Sequence, residues 1–184
     1  MRRYAKSCLL LINVHADEEC LSTLVYPDTE MLRAGASELN RLGYLHPPLA
    51  RGRSLQDLRA EGTPAFAAGV FEGFTKVGPR RHVAVGWAGL PTRRGPADAV
   101  VLALEGPGGD WLPWRLEPVF RPRPDIARAM GSAYRGAGWR RPVPWPELPT
   151  RPFRIGAWAF DATTGLVTPL EGTHDVPADD ADGH

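Results

Sequence analysis

Lysine is almost missing from this chain, with two residues against 20 arginines. A GC-rich bacterial codon bias accounts for such a skew, together with 20 glycines and 19 prolines. The chemistry follows whatever the origin, because arginine stays charged, forks onto oxyanions and stacks on aromatic rings as lysine does not. Cysteine is scarce too, with only Cys8 and Cys20. Two cysteines exclude a disulfide framework, and nothing resembles C-x-x-C. Cys8 sits inside an apolar run, where a buried reduced thiol is expected. No stretch approaches the roughly 20 apolar residues that span a bilayer, so no membrane contact is expected. The first 16 residues imitate a secretory leader, but the apolar run Cys8–Ile12 is shorter than a usual leader core. The expected setting is cytoplasmic.

Catalytic signatures are absent as well. There is no G-x-S-x-G, no phosphate-binding loop ending in Lys-Ser/Thr and no G-x-G-x-x-G after a strand. No cofactor and no metal centre is expected. His15 and Asp17 lie beside the acids Glu18 and Glu19 and can form one edge of a metal site, with His46 as the nearest third ligand. A solvated polar loop explains the same residues more simply.

What is present is an asymmetry. Residues 111–158 hold five of the six tryptophans, nine prolines and nine arginines against three acids. Residues 159–184 hold six acids and no lysine or arginine. The net charge of +1 hides this opposition. A nucleic-acid binder usually carries a large uncompensated positive charge, so the self-cancelling balance argues against nucleic acid as a partner.

The pattern predicts an α+β fold. It comprises a mostly antiparallel, curved sheet of about five to seven strands, packed by two main helices (29–42 and 125–137), with Pro-rich arms. Residues 1–170 are read as a single α+β domain and 171–184 as a disordered acidic tail. Residues 7–14 read as a buried strand and Leu21–Tyr26 as a second. Asp28 caps the helix carrying Leu32, Ala36, Leu39 and Leu42. Ser54 and Asp57 mark a short capped helix. Strands follow near 66–77, 81–88 and 99–105, with Val83, Val85 and Trp87 as the core face of the second. Trp111–Glu117 reads as an edge strand or irregular arm because of Pro113. Ile126, Ala129, Met130, Ala133, Tyr134 and Ala137 form one helical stripe. Arg140–Pro152 reads as an arm without regular structure. Phe153–Phe160 and Leu166–Leu170 read as a hairpin.

Two functional readings compete. In the first, a non-catalytic binding or accessory protein walls a groove with Trp111, Trp114, Trp139 and Trp145. Arg115, Arg140 and Arg141 pair an anionic group there. The partner is a peptide, a protein, or an aromatic anionic small molecule. The structural alternative is that the rings clamp the Pro-rich arms onto the body with arginines stacked over them. In the second, a small cofactor-independent enzyme uses His82 as acid/base, held neutral by Arg80 and Arg81 and oriented by Asp98. A tailoring step in biosynthesis suits such a domain. An exposed histidine on a hairpin is the plain alternative for His82.

Overall fold

In the structure, a computed structural model that describes residues 2–15, 17–59, 68–78, 81–90, 92–149 and 152–177, helices stand where the first strands are expected. Tyr4, Cys8 and Leu11 recur four and three residues apart, which is helical spacing. Tyr4, Ser7, Cys8 and Leu10 accordingly form the buried face of α1 (Arg2–Leu10). Leu21–Tyr26 is not a strand either, because α2 spans Glu18–Leu24. The Asp17 side chain accepts from Cys20 N at 3.3 Å, and Glu18 and Glu19 occupy the first turn, where the helix dipole favours acids. Cys8 and Cys20 are joined as a disulfide linking α1 to α2, with Cα atoms 6.0 Å apart, so the expected free thiol is corrected.

The two helices expected to carry the packing contribute less than their stripes promise. Asp28 caps α3 (Thr29–Arg41) through Met31 N at 2.9 Å, yet only Ala36 is buried, with Leu39 and Leu42 exposed. The stripe at 125–137 breaks at Gly131, whose φ of 110° is not helical. It becomes α4 (Pro124–Met130) followed by a 3-10 turn at Ser132–Gly136, and no residue of α4 is buried. Arg123 holds this corner by forking onto Glu72 at 2.8 and 2.9 Å and onto Asp125 at 2.7 Å. The expected capped helix is a single 3-10 turn, Gln56–Leu58, without a side-chain cap; Asp57, inside it, reaches back to accept from Ser54 N at 3.1 Å.

Among the described residues, eight strands make the mostly antiparallel, strongly curled sheet of an α+β fold: β1 (Ala68–Gly78), β2 (Arg81–Leu90), β3 (Gly95–Pro96), β4 (Ala99–Glu105), β5 (Trp111–Pro118), β6 (Gly138–Pro144), β7 (Phe153–Asp161) and β8 (Leu166–Val176). Their order is β3-β2-β1-β8-β7-β4-β5, and β6 pairs with β2. The halves β1/β2/β3/β6 and β8/β7/β4/β5 meet at one parallel bridge, Val70 to Glu171. On the opposite side a single bridge from Arg121 to Gly138 brings the end of β5 toward β6. Residues 171–176, expected in a disordered tail, continue β8 as paired strand. Positions 178–184 lie outside the described residues.

The arm expected at 140–152 begins as β6, and its prolines explain how. Gly138 exchanges both backbone hydrogen bonds with Arg121, at 2.8 and 3.0 Å, so its groups point away from β2. By alternation Arg140, Pro142 and Pro144 point the same way. The prolines therefore sit where the β2–β6 ladder needs no N–H.

Alternation also sorts two cores. Ala99, Val101 and Ala103 of β4, with Trp158 and Phe160 of β7, pack under α1 and α2. Val100, Leu102, Ile155, Ala157 and Ala159 face the sheet interior, around Phe71 and Trp139. In β2 the expected face is inverted. Ala84, Ala88 and Leu90 turn inward rather than Val83, Val85 and Trp87. The interior is already filled by large rings, so the opposing strand must be small. A Cβ on Gly86 would stand 2.7 Å from the Trp139 ring.

Candidate functional site at the open seam

Beyond the Arg121–Gly138 bridge β5 and β6 part, and the first two helices wedge the gap. The free edge of β5 is satisfied by side chains instead of a strand. Tyr4 Oη donates to Leu116 O at 3.2 Å, and Leu116 N donates to Asp17 Oδ2 at 3.2 Å. Asp17 N donates to His15 Nδ1 at 2.9 Å, which puts the ring proton on Nε2, facing Cys8 O at 3.2 Å. Burial pushes His15 below the usual histidine range. His15 and Asp17 thus spend their side chains on backbone partners rather than on a metal edge.

The seam leaves a cleft of about 560 Å³, within the roughly 300–1,000 Å³ of small-molecule sites. Arg121, Arg140 and Arg141 line it interspersed with Asp17, Glu19, Glu117 and Glu147, Arg141 standing between Glu19 and Glu117. Leu24, Phe120 and Pro142 supply apolar walls. Glu117 lies opposite Val100 in the β4–β5 register, so its carboxyl faces inward, where water is scarce. Its side chain is 9% exposed. Burial lifts its pKa from 4.5 to about 7, with Arg141 and Arg121 opposing and Asp17 reinforcing the rise. The Tyr4 phenol is likewise pushed up, by burial first and then by Asp17 and Glu117, so it stays protonated.

Arg141 is held loosely. Its Nη1 is 3.9 Å from Glu117 and its Nη2 3.7 Å from Glu19, both beyond hydrogen-bond length. Its buried Nε has no hydrogen-bond partner among the described residues. The guanidinium therefore faces the cleft with donors to spare.

The residues singled out in the sequence do not form one groove. Arg140 and Arg141 line the cleft, and Arg115 reaches its border by pairing with Glu147 at 3.3 Å while lying over the Trp114 ring. Trp114 packs against the inner core. Trp111 packs on Trp158, ring centroids 4.8 Å apart, against the helix-side core. Trp139 is buried in the interior, 5.4 Å from Phe71. Trp145 starts a 3-10 turn at Trp145–Glu147, and its side chain is outside the described residues. Trp111, Trp114 and Trp139 thus pack against the two cores, and of these three rings only Trp114 has an arginine over it among the described residues.

His82 and Asp98 are not brought together. His82 is buried at one end of β2, stacked on Phe74 at 5.2 Å, and is not the exposed hairpin residue of the plain reading. Asp98 follows β3, whose Pro96 pairs with Gly89 at the other end of β2. Seven strand residues separate those positions, roughly 20 Å. Asp98 is occupied by Arg93 at 2.9 Å and Ala162 N at 2.9 Å.

Tyr4, Glu117 and Arg121 escaped the sequence reading. Alternation along β5 marks Glu117 as inward-facing, but its significance depends on β6 passing nearby, a contact between distant parts of the chain. Among the described residues no helix is long and apolar enough to cross a membrane. Comparison with known protein families, curated proteins and solved structures finds no match.

Proposed function

We propose that this protein is a non-catalytic binding protein. It holds a small molecule with an anionic group and an apolar, aromatic body in the seam cleft. The observation that carries the reading is Arg141, a guanidinium at a concave site whose ion pairs are too long to use its donors. Arg140 and Arg121 add charge, and Leu24, Phe120 and Pro142 accept the apolar part. A small molecule is favoured over a peptide strand, because Pro142 and Pro144 remove donors from the β6 edge and Tyr4 and Asp17 occupy the β5 edge. Nucleic acid is disfavoured because acids alternate with the arginines and leave no continuous track for phosphates. The disulfide favours an oxidising compartment over the cytoplasm expected from the sequence.

The test uses 8-anilinonaphthalene-1-sulfonate, a fluorescent aromatic anion. Wild-type protein binds it with enhanced fluorescence at a single site. Arg141→Ala weakens binding by about 10- to 100-fold, the range expected for lost charged hydrogen bonds. Equal affinity in wild type, Arg141→Ala and Arg140→Ala removes the cleft as the site.

A further inference from the structure

Among the described residues, Glu117 is the one cleft carboxyl that is both buried and without a hydrogen-bonded partner. It accepts no hydrogen bond among the described residues, and Arg141 Nη1 stands 3.9 Å away. Asp17 differs, since its oxygens take Leu116 N and Cys20 N. Glu147 is held by Arg115, and the Glu19 side chain is 78% exposed. An anion that enters and takes up Arg141 removes the attraction that favours ionised Glu117. It also places a second negative charge beside that carboxylate, and like charges at one buried site do not both persist.

Resting on the binding reading above, we propose that anion capture in the seam cleft is coupled to proton uptake by Glu117. The ligand's oxyanion replaces Glu117 as the partner of Arg141. One proton passes from solvent to a Glu117 Oε, and the resulting carboxylic acid donates a hydrogen bond to the ligand. The ligand class this selects is an apolar carboxylate or sulfonate, with one oxygen for the guanidinium and another to accept from Glu117. No other bond forms or breaks.

The groups facing Glu117 from each neighbouring element fit this assignment. Tyr4 from α1 stays a neutral phenol, already donating to Leu116 O. Asp17 and Glu19 from the α2 end add negative charge, and Glu147 beyond β6 is paired with Arg115. Arg140 and Arg141 from β6 and Arg121 beyond β5 supply the positive charge. Glu117 is the group poised to change state near neutrality.

The experiment is calorimetric titration of the full-length protein with 8-anilinonaphthalene-1-sulfonate at pH 8 in phosphate and in Tris, whose ionisation heats differ. The sulfonate is a permanent anion, so the probe contributes no proton. Wild type is expected to show a buffer-dependent heat amounting to most of one proton taken up per site, with affinity rising about tenfold from pH 8 to pH 7 or below. Glu117→Gln, which keeps shape and hydrogen-bond donor, is expected to lose the buffer dependence and bind about tenfold more tightly than wild type at pH 8. Buffer-independent heat in wild type overturns the proposal without any variant. Persistent proton uptake in Glu117→Gln assigns the proton elsewhere and overturns it too. No binding at pH 6, where Glu117 is already protonated, overturns the binding reading beneath it.

Discussion

Replacing Trp139 by alanine separates the interior ring observed here from the ligand-binding tryptophan expected from the sequence. Trp139 is 2% exposed and packs on Phe71 and over Gly86. Removing it empties a large volume beside Phe71 and over Gly86, where the paired backbones of β2 and β6 limit collapse. Trp→Ala at such a site costs about 3–5 kcal/mol, a large part of a stability near 5–15 kcal/mol. At about 2–4 °C per kcal/mol for a chain this size, the melting temperature falls by roughly 6–20 °C. Urea titration followed by far-UV circular dichroism measures the loss without depending on tryptophan emission, and scanning calorimetry checks the shift. At a temperature where the variant is folded, its affinity for the anionic probe stays within a few-fold of wild type. A cost below about 1 kcal/mol accompanied by loss of probe binding refutes the interior assignment and restores Trp139 to a binding surface.

Two further outcomes follow from buried chemistry elsewhere. Glu117 holds its proton more tightly when folded, so its contribution is complete below about pH 4.5 and lost as pH rises to about 7. At about 1.4 kcal/mol per tenfold change in proton affinity this amounts to about 3 kcal/mol. Denaturant titrations across that window should show wild type losing stability relative to Glu117→Gln, and parallel curves refute it. Asp125, held near 2 by Arg123, acts in the opposite sense and lower, so it does not mask the comparison. The disulfide is checked by thiol titration of denatured, unreduced protein, which should find no reactive thiol. Cys8→Ala/Cys20→Ala should cost about 2–4 kcal/mol, as expected for a bridge spanning 12 positions. Two titratable thiols and an unchanged stability contradict it.

Legibility in the sequence tracked how local the cause was. β4, the β7–β8 hairpin and the Asp28 cap were readable because an unbroken apolar run, a turn and a capping side chain are near-neighbour signals. α1 and α2 were misread because an apolar run as short as Cys8–Ile12 has no period of its own. What decides is the packing of Tyr4 and Cys8, four apart. β6 was missed because its prolines argue against a strand unless one knows which side of the ladder they face. The face of β2 was inverted because a small residue reads as an exposed one, whereas Ala84 and Gly86 are small to admit Trp139 from 53 residues further on. The cleft was half legible. Arg140 and Arg141 stood out by charge, but Glu117 needed the approach of β5 to β6.

The passage of the chain between the two halves of the sheet has a consequence for how the protein comes apart. β1 to β3 belong to one half, β4 and β5 to the other, β6 returns to the first, and β7 and β8 finish the second. The backbone crosses the divide three times. No single cut leaves either half with all its strands, even though one parallel bridge is the only ladder contact joining β1 to β8 among the described residues. The weak seam is therefore braced by connectivity, and neither half is complete until the other is nearly so. Loss of structure at either seam is expected to spread across both halves, and a nick in the connection after β5 should release β6 from β2 rather than free an independent lobe.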